Sequence, residues 1–341
     1  MGSTLLRDAV LVVVPTLNEA RHIGDVLAGL LADPLAASMT IVVADGGSTD
    51  ATQTIAREIA PTAPQVQLIG NARRLQSAGV NLAAQLFGRD HRYLVRIDAH
   101  AAYPRDYVSR LVAIQQETGA NSVVVSMEAV GQAPLQSAIA QAQNSVYGTG
   151  GSAHRSVSAG KWVEHGHHAL FLMADFLALG GYNETLSHNE DAELDLRLTS
   201  GGGRVYLAPI SIQYYPRDSF ERLWRQYFNF GRGRARTALM HRQPPNLRRW
   251  LVILLLPALI LALFAPIHPV AALPLLAWVG VILVFATRWS SRHGLFHGVT
   301  AALAGAIMQL AWSAGFNGQL LLSLPRSMVP NQGAAPPAEP R

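Results

Sequence analysis

The C-terminal third of the chain constrains the fold most, because long uncharged stretches follow a basic segment. Between residues 222 and 338 there are 11 arginines and no Asp or Glu. Three stretches there, at 251–267, 269–287 and 298–316, carry no charged side chain and are 17, 19 and 19 residues long. Because about 17–25 apolar residues cross a bilayer as a helix, the pattern predicts a transmembrane region of about three helices over residues 250–324.

The charge of the chain divides where this region begins. Residues 1–221 hold 15 Lys and Arg against 21 Asp and Glu, a sum of −6, whereas residues 222–338 sum to +11. Eight of those arginines precede the first uncharged stretch, and Arg288 and Arg292 lie between the second and the third. The positive-inside rule therefore predicts that both basic groups face the cytoplasm. Residues 1–8 lack the features of a secretory signal, so we expect the N-terminal domain to be cytoplasmic.

The first half of the chain alternates short apolar runs with helical spacing. The predicted strands are 9–14, 39–43, 66–69, 93–97 and 122–126, and the predicted helices are 23–30, 49–59, 76–86 and 107–114. Continuous apolar runs are typical of strands covered on both faces. The β-α order therefore predicts a Rossmann-like α/β domain with a largely parallel sheet, and ligands bind beyond the carboxyl ends of such strands.

Different patterns follow this alternation. Residues 145–168 are rich in Gly, Ser and His and predict a long loop, which is followed by a helix at 192–199 and a strand at 205–207. The Arg- and aromatic-rich segment 219–249 is typical of a helix at a membrane surface, although it could equally pack on the globular domain. We therefore divide the chain into a catalytic domain (1–218), an interface segment (219–249), a transmembrane region (250–324) and a tail (325–341).

Four polar segments follow predicted strands or open a helix. They are VVVPTLNEARHI from Val12, VVADGGSTDAT from Val42, RIDAHAAYP from Arg96 and HNEDAELDLRLTSGGGRVYLAP from His188. Together they resemble the motifs of family-2 glycosyltransferases with the nucleotide-sugar-binding GT-A fold, of the kind that acts in succinoglycan biosynthesis. The resemblance covers about residues 10–236 and implies transfer of a hexose, glucose by that likeness, from a UDP-sugar.

The resemblance also implies roles for single residues. Pro15, Thr16, Glu19 and Asp45 would line the nucleotide pocket, where a carboxylate can accept hydrogen bonds from uracil or ribose. Asp98 and His100 would hold a divalent cation, with His100 replacing the second acid of the family's D-x-D motif. A carboxylate and an imidazole suit Mn²⁺ somewhat better than Mg²⁺. Strand-end capping by Asp98 and a surface role for His100 are the structural alternatives.

The remaining candidates lie in the fourth segment and around it. Asp191 matches the family's catalytic base, and Glu190 would orient the acceptor or the base; acids in a first helical turn also favour the helix dipole. Glu193 and Asp195 are interpreted as structural, with Arg197 as a partner for one of them. The histidines His165, His167 and His168 have poor spacing for zinc, so we expect them to form a wall on the acceptor side.

Basic residues offer further contacts to phosphate. Arg74, after the third strand, is a candidate for the donor diphosphate, with a surface salt bridge as the alternative. Arg225, Gln226, Arg232 and Arg234 stand in RQYFNFGRGR, where related enzymes have a Q-x-x-R-W motif. They could clamp the donor diphosphate or touch lipid phosphate, or they could form a solvated basic helix.

These observations predict a multi-pass enzyme of the bacterial inner membrane whose catalytic domain faces the cytoplasm. The expected partners are a UDP-sugar, a polyprenyl-diphosphate-linked saccharide and the membrane, with no nucleic acid. Transfer to polyprenyl phosphate and processive polysaccharide synthesis are alternatives within the same fold. A non-catalytic sugar-nucleotide-binding scaffold subunit is an alternative of another class. Without cysteine, a thiolate metal site or a Cys nucleophile is excluded.

Overall fold

A mixed nine-stranded sheet forms the centre of the N-terminal part of the chain, in a computed structural model that describes residues 9–150 and 160–323. The strands are β1 (Val10–Thr16), β2 (Met39–Asp45), β3 (Val66–Gly70), β4 (Tyr93–Arg96), β5 (Ala101–Ala102), β6 (Ser122–Ala129), β7 (Lys161–Val163), β8 (His167–Leu172) and β9 (Val205–Tyr214). Their order is β3-β2-β1-β4-β8-β6-β9-β5, and β7 pairs with β9. The predicted tail, 325–341, and residues 1–8 lie outside the described residues.

Helices connect these strands and then continue to the C-terminal end of the described part. They are α1 (Ile23–Leu31), α2 (Thr52–Ile59), α3 (Gln76–Phe87), α4 (Tyr107–Thr118), α5 (Pro134–Gln143), α6 (Val146–Thr149), α7 (Met173–Ala178), α8 (Glu190–Ser200), α9 (Phe220–Met240), α10 (Leu247–Ile253), α11 (Leu255–Ala262), α12 (Leu273–His293) and α13 (Leu295–Ser323). Short 3₁₀ turns cover Ala36–Ser38, Gly88–Asp90 and Pro269–Ala272.

The first four strands of the sheet order are parallel, as the alternation of strands and helices predicts. Both faces of these strands are buried. In β1, Val10, Val12 and Val14 pack with residues of α1 and α4 on one face. Leu11 and Val13 pack with residues of α3, α7 and α8 on the other. The carboxyl ends of the parallel strands therefore lie together at one edge of the sheet.

The second part of the sheet contains antiparallel strands that the apolar pattern did not predict. Strand β8 is antiparallel to both β4 and β6, and β5 and β7 are antiparallel to β9. Helix α6 and strands β7 and β8 begin inside the segment 145–168, so the prediction of a loop there was wrong for its described ends. These elements are short or rich in polar residues, and tertiary pairing stabilises them more than local propensity does.

Two C-terminal helical segments, Pro269–His293 and Leu295–Ser323, are long and apolar enough to cross a membrane. The first is hardly buried; Leu283 and Val284, for example, are 60% and 62% exposed. The second is about half buried, and its neighbours include α5, α9 and α12. The predicted first span, 251–267, is divided instead between the short helices α10 and α11.

Pro257 accounts for this division, because it has no N–H to donate to the carbonyl of Ile253. The Ile253 carbonyl instead accepts hydrogen bonds from Ser313 Oγ, at 3.0 Å, and from Asn317 Nδ2, at 2.8 Å. The N–H of Leu256 donates to Ser313 Oγ at 3.0 Å. Polar side chains of α13 therefore satisfy the backbone groups that the broken helix leaves free.

Helices α9 and α13 pack with close backbone approach at two glycines. A Cβ at Gly231 would lie 2.1 Å from the Trp312 carbonyl oxygen, and a Cβ at Gly315 would lie 2.0 Å from that of Phe228. Only glycine fits such contacts. The carbonyl of Phe230, in the same part of α9, accepts a hydrogen bond of 2.8 Å from Asn189 Nδ2. The C-terminal helices are thereby held against the segment that begins α8.

Candidate active site

Asp45 organises the turn at the carboxyl ends of β1 and β2. Its carboxylate accepts hydrogen bonds from the backbone N–H groups of Gly47 and Ser48, both at 2.9 Å, and from Gln53 Nε2 at 2.7 Å. Thr16 Oγ1 donates to it from the neighbouring strand at 3.2 Å. Burial raises the pKa of Asp45, but hydrogen bonds from Ser48 Oγ, from the backbone N–H groups of Ser48 and Gly47, and from Thr16 outweigh it and hold the pKa below its usual range. The residue is therefore a buried anion at the strand ends.

A cavity of about 750 Å³ opens beside this turn. Its lining includes Asp45, Gly46, Gly47 and Arg74. Gly47 has a φ of +85°, and a Cβ there would lie 3.6 Å from the guanidinium of Arg74. The structure therefore brings Asp45 and Arg74 together. Pro15 precedes Thr16 in β1, where it pairs with Ala44 of β2 behind the turn.

Glu19 and His100 contact each other across the ends of β1 and β4. Glu19 Oε1 lies 3.2 Å from His100 Nδ1. That hydrogen bond raises the pKa of His100 against the opposing effect of burial, and the charge of Asp98 raises it further. The sequence resemblance assigns Glu19 to the nucleotide pocket and His100 to the cation, whereas in the structure these two side chains contact each other.

Arg96, at the end of β4, lies among three carboxylates. Its guanidinium is 2.5 Å from Asp191 Oδ1, 3.3 Å from Asp98 Oδ1 and 3.4 Å from Glu190 Oε1. The Arg96 side chain is only 7% exposed. We call Asp98, Glu190 and Asp191 the acidic cluster. One guanidinium therefore faces three carboxylates and compensates only part of their negative charge when the acids are ionised.

The environment separates the pKa values of the two adjacent acids on α8. Burial raises the pKa of Asp191, but Arg96, His168 and His167 outweigh it and lower the pKa. Burial and the neighbouring Asp191 raise the pKa of Glu190. Such a separation is typical of sites in which one carboxyl group acts as a base beside another with a different role.

Asp98 is likewise held ionised. Burial would raise its pKa, but Arg96, His167 and His100 together hold the pKa well below its usual range. Gln76 Nε2 also donates a hydrogen bond to Asp98 Oδ1. No group of three or more His, Cys, Asp or Glu side chains among the described residues is arranged to hold a metal ion. Asp98 and His100 can supply two protein ligands, so a cation here needs the remaining ligands from a bound substrate.

A cavity of about 1250 Å³ joins the acidic cluster to the C-terminal helices. Asp98, His100, Glu190 and Asp191 line it, so the structure brings these four predicted site residues together. Apolar side chains of α10, α11 and α12 line the same cavity. It therefore connects a buried polar centre with the apolar part of the chain.

Sequence comparisons identify the family. A model of Glycosyl transferase family 2 matches residues 11–177. Succinoglycan biosynthesis protein ExoA of Rhizobium meliloti is 46% identical over 312 residues, which are 91% of this chain and 94% of that protein. The chain belongs to glycosyl transferase family 2.

A solved structure supports the fold of this glycosyltransferase. The mannosyltransferase PcManGT from Pyrobaculum calidifontis, in complex with GDP-Man and Mn²⁺, is similar with a TM-score of 0.59 at 19% identity. The similarity covers 88% of this chain and 87% of that chain. It confirms the GT-A fold that the motifs predict.

Two histidines of the family-2 site lie closer to the acids than the sequence indicates. His167 Nε2 is 3.5 Å from Asp98 Oδ2, and its Nδ1 is 3.8 Å from Asp191 Oδ2. His168 Nδ1 is 3.4 Å from Asp191 Oδ1, and its Nε2 is 2.9 Å from Asp195 Oδ1. The contact between His168 Nε2 and Asp195 Oδ1 is electrostatic rather than a well-aligned hydrogen bond. Asp195 therefore extends the site behind Asp191, whereas the sequence interpretation made it structural.

Glu193 fits the structural interpretation. It forms an ion pair with Arg197 at 2.8 Å and a hydrogen bond with His241 Nε2 at 2.9 Å. Arg96, by contrast, was missed as a site residue. A signal was present in the sequence, because Arg96 is the one charged residue of the otherwise apolar predicted strand 93–97 and stands two residues before Asp98.

The α9 candidates of the glycosyltransferase take different positions. Gln226 lines the large cavity, and its Nε2 donates to Tyr214 Oη at 2.9 Å. Arg225 lines the cavity with a side chain that is 70% exposed and paired with Glu221 at 2.8 Å. Arg234 lines the cavity two turns after Gln226, whereas Arg232 is not part of that lining.

Proposed function

We propose that the protein is an inverting hexosyltransferase that moves glucose from a UDP-sugar to a hydroxyl group of a lipid-diphosphate-linked saccharide in exopolysaccharide synthesis. The observation that carries the proposal is the single cavity that joins Asp98 and Asp191 to the apolar C-terminal helices. The succinoglycan role of the 46% identical ExoA supports the exopolysaccharide product.

The donor nucleotide is assigned to the smaller cavity beside Asp45. Buried polar groups at the ends of β1 and β2 supply acceptors for a base and a ribose, and Gly47 permits close approach of the backbone. Arg74 supplies a guanidinium for the donor diphosphate. The choice of uridine rests on the resemblance of the turn motifs, whereas PcManGT was solved with a guanosine sugar nucleotide. The donor screen described below therefore compares a uridine with a guanosine sugar nucleotide.

Asp98 and His100 are assigned to a divalent cation, Mn²⁺ or Mg²⁺, bound together with the donor diphosphate. The charge of the acidic cluster and the ionised state of Asp98 support this assignment, as does the Mn²⁺ in the complex of PcManGT. When bound, such an ion supplies positive charge for the leaving diphosphate. Arg96 holds Asp98 in place beside it.

Asp191 is assigned as the general base. The acceptor oxygen attacks the anomeric carbon while the bond from that carbon to the UDP oxygen breaks, and the acceptor proton passes to Asp191. Arg96 pairs with Asp191 Oδ1 at 2.5 Å, and among the described residues His167 Nδ1 is the ion-pair partner of Oδ2, at 3.8 Å. Asp191 lines the cavity of about 1250 Å³, which has room for a saccharide, and the step requires a carboxylate within hydrogen-bond reach of the acceptor hydroxyl.

The cellular location follows from the C-terminal helices. We infer a multi-pass protein of the bacterial inner membrane, with the catalytic domain on the cytoplasmic face. Exposed apolar side chains along α12 and the arginines near its C-terminal end support this assignment. Attachment keeps the enzyme in the same bilayer as a polyprenyl-linked acceptor.

The test is a donor screen on membranes that contain the full chain and a lipid-linked saccharide acceptor. Radiolabelled UDP-glucose should label the lipid fraction, GDP-mannose should not, and the new linkage should have inverted anomeric configuration. Asp191→Asn should lower transfer by about 10²- to 10⁴-fold and leave UDP binding nearly unchanged. Transfer from GDP-mannose alone, retained configuration or a fully active Asp191→Asn variant would overturn the respective part of the proposal.

A further inference from the structure

Three arginines that do not belong to the acidic cluster line the large cavity. Arg234 of α9 and Arg248 and Arg249 of α10 all line it, and we call them the arginine cluster. Arg248 Nη1 donates to the carbonyl oxygen of Gly150 at 2.7 Å, and Arg234 Nη2 lies 3.0 Å from His165 Nε2. Among residues 9–150 and 160–323, no carboxylate lies within 4 Å of any of the three guanidinium groups, whereas Arg96, Arg197 and Arg225 all have such partners.

The electrostatics of the arginine cluster indicate an uncompensated positive charge. Burial, with the charges of Arg249 and Arg248, lowers the pKa of Arg234 to about 9, so the Arg234 guanidinium remains charged at neutral pH. Burial and the same three arginines lower the pKa of His165 to about 3, so His165 is neutral. Glu164 opposes this repulsion only in part. Like charges are costly where they are partly buried, as Arg234 and Arg249 are, and a bound anion relieves that cost.

The apolar lining lies next to the arginine cluster along the chain. After Arg249, helix α10 continues with Leu251 into the cavity wall, and Leu255 and Ala258 of α11 extend it. Ala277 and Val281 of α12 also line this part of the cavity. Leu251 and Val281 are 67% and 46% exposed. A ligand that fits this surface therefore carries an anion close to a long apolar group.

We propose that the arginine cluster binds the diphosphate of a polyprenyl-diphosphate-linked saccharide, with the first isoprene units along α10, α11 and α12 and the saccharide directed toward Asp191. The proposal rests on the proposed function, which makes the acceptor lipid-linked. Charge complementarity favours a diphosphate as the ligand, because one guanidinium group can donate two parallel hydrogen bonds to the oxygens of a phosphate. The donor diphosphate is assigned elsewhere, beside Asp98 and Arg74, so the arginine cluster remains for the acceptor.

The kinetic test uses the full chain in nanodiscs and the variant Arg248→Gln/Arg249→Gln. We expect the KM for the lipid-linked acceptor to rise about tenfold or more, because charge-assisted hydrogen bonds are lost, while the KM for the UDP-sugar stays unchanged. Arg236→Gln/Arg242→Gln is the matched control, because it removes two charges from neighbouring arginines that do not line the cavity. Arg248→Lys/Arg249→Lys keeps the charge without the paired donors and should give an intermediate KM.

Each contrary result identifies another occupant. An increase in the donor KM would assign the arginine cluster to the donor diphosphate. If the acceptor KM rises equally in the control variant Arg236→Gln/Arg242→Gln and depends on the phosphatidylglycerol content of the nanodiscs, phospholipid headgroups bind the arginine cluster instead. An unchanged acceptor KM would also overturn the proposal. Thermal unfolding and UDP binding of each variant show whether it is folded.

A binding experiment separates this proposal from the proposed function. Wild-type protein should bind polyprenyl diphosphate in detergent at least about tenfold more tightly than inorganic pyrophosphate, and the Arg248→Gln/Arg249→Gln variant should lose that preference. If no nucleotide sugar supports transfer but this binding is present, the proposed function fails and the lipid site stands. If transfer occurs but binding is unaffected by the substitutions, the lipid site fails alone.

Discussion

The guanidinium of Arg96 lies 2.5 Å from Asp191 Oδ1 and also contacts Asp98 at 3.3 Å. One side chain at the end of β4 therefore links the residue assigned to the cation with the residue assigned as the base. Because Arg96 is almost fully buried, its charge is poorly screened by solvent. Its main physical effect is to keep both carboxylates ionised although they are buried close together.

Replacement of Arg96 should shift the pH dependence of transfer. In Arg96→Gln, burial and the charge of Asp98 still raise the pKa of Asp191, while the largest opposing effect is lost. A base is active only when deprotonated, so the acidic limb of the kcat/KM profile should move upward by roughly 1–3 pH units. Transfer measured across the pH range checks this.

Arg96→Lys is the matched variant, because it retains a positive charge at the same position. Its acidic limb should lie between those of the wild-type and Arg96→Gln proteins. An identical limb in all three proteins, with UDP binding intact, would show that Arg96 does not set the pKa of the base.

Asp195 and Glu193 offer a comparison between two buried acids on one helix. Asp195 contacts His168, which contacts Asp191, whereas Glu193 pairs with Arg197 and His241. Asp195→Asn should lower kcat about 2- to 30-fold, corresponding to about 0.5–2 kcal/mol of coupling, with an unchanged KM for the donor. Glu193→Gln should instead lower the free energy of unfolding by about 1–3 kcal/mol and leave kcat per folded molecule unchanged. Steady-state kinetics and thermal unfolding distinguish the two, and the reverse pattern would contradict the assignment of Asp195.

Removal of Asp98 should abolish the effect of the cation on nucleotide binding. In wild-type protein, calorimetry should show that Mn²⁺ strengthens UDP binding about tenfold or more relative to EDTA-treated protein. Asp98→Ala should show no such difference, whereas Asp106→Ala, which replaces an exposed acid on the N-terminal side of α4, should behave as the wild type. Retention of the Mn²⁺ effect in Asp98→Ala would count against a cation site at this residue.

The sequence predicts the parallel half of the sheet well, because its strands are continuous apolar runs such as β1. It also places Asp45, Asp98 and Asp191 at strand or helix ends, because their motifs directly follow an apolar run or open a helical pattern. It does not predict β8, because His167 and His168 lie in a polar context and pair only with strands distant in the chain. The contacts of Arg96 and Asp195 are missed for the same physical reason. Their partners are set by tertiary packing, which periodicity does not encode.

The contact between α9 and α13 should tolerate no side chain at Gly231. A Cβ there would meet the Trp312 carbonyl oxygen at 2.1 Å, so Gly231→Ala should lower the free energy of unfolding by about 1–3 kcal/mol. Gly29→Ala on α1 is the control, because nothing lies within 4 Å of the added Cβ. It should raise stability by about 0.5–1 kcal/mol through helix propensity. Thermal unfolding in detergent measures both, and equal effects would contradict the close contact.

The orientation of the C-terminal helices can be tested by reporter fusion. A reporter after Arg292 should give a cytoplasmic signal, because Arg288 and Arg292 lie at the C-terminal end of α12 and translocation of such charges is disfavoured. A second reporter at His268, just before Pro269 at the other end of the apolar segment, should give a periplasmic signal if α12 crosses the membrane.

The pair of fusions also distinguishes spanning from lying in the membrane surface. Helix α13 is about half buried, and part of its surface packs on α5 and α9, so its apolar length alone does not require a crossing. Cytoplasmic signals at both positions would mean that α12 enters the bilayer without crossing it. A periplasmic signal after Arg292 together with a cytoplasmic signal at His268 would reverse the proposed orientation of α12.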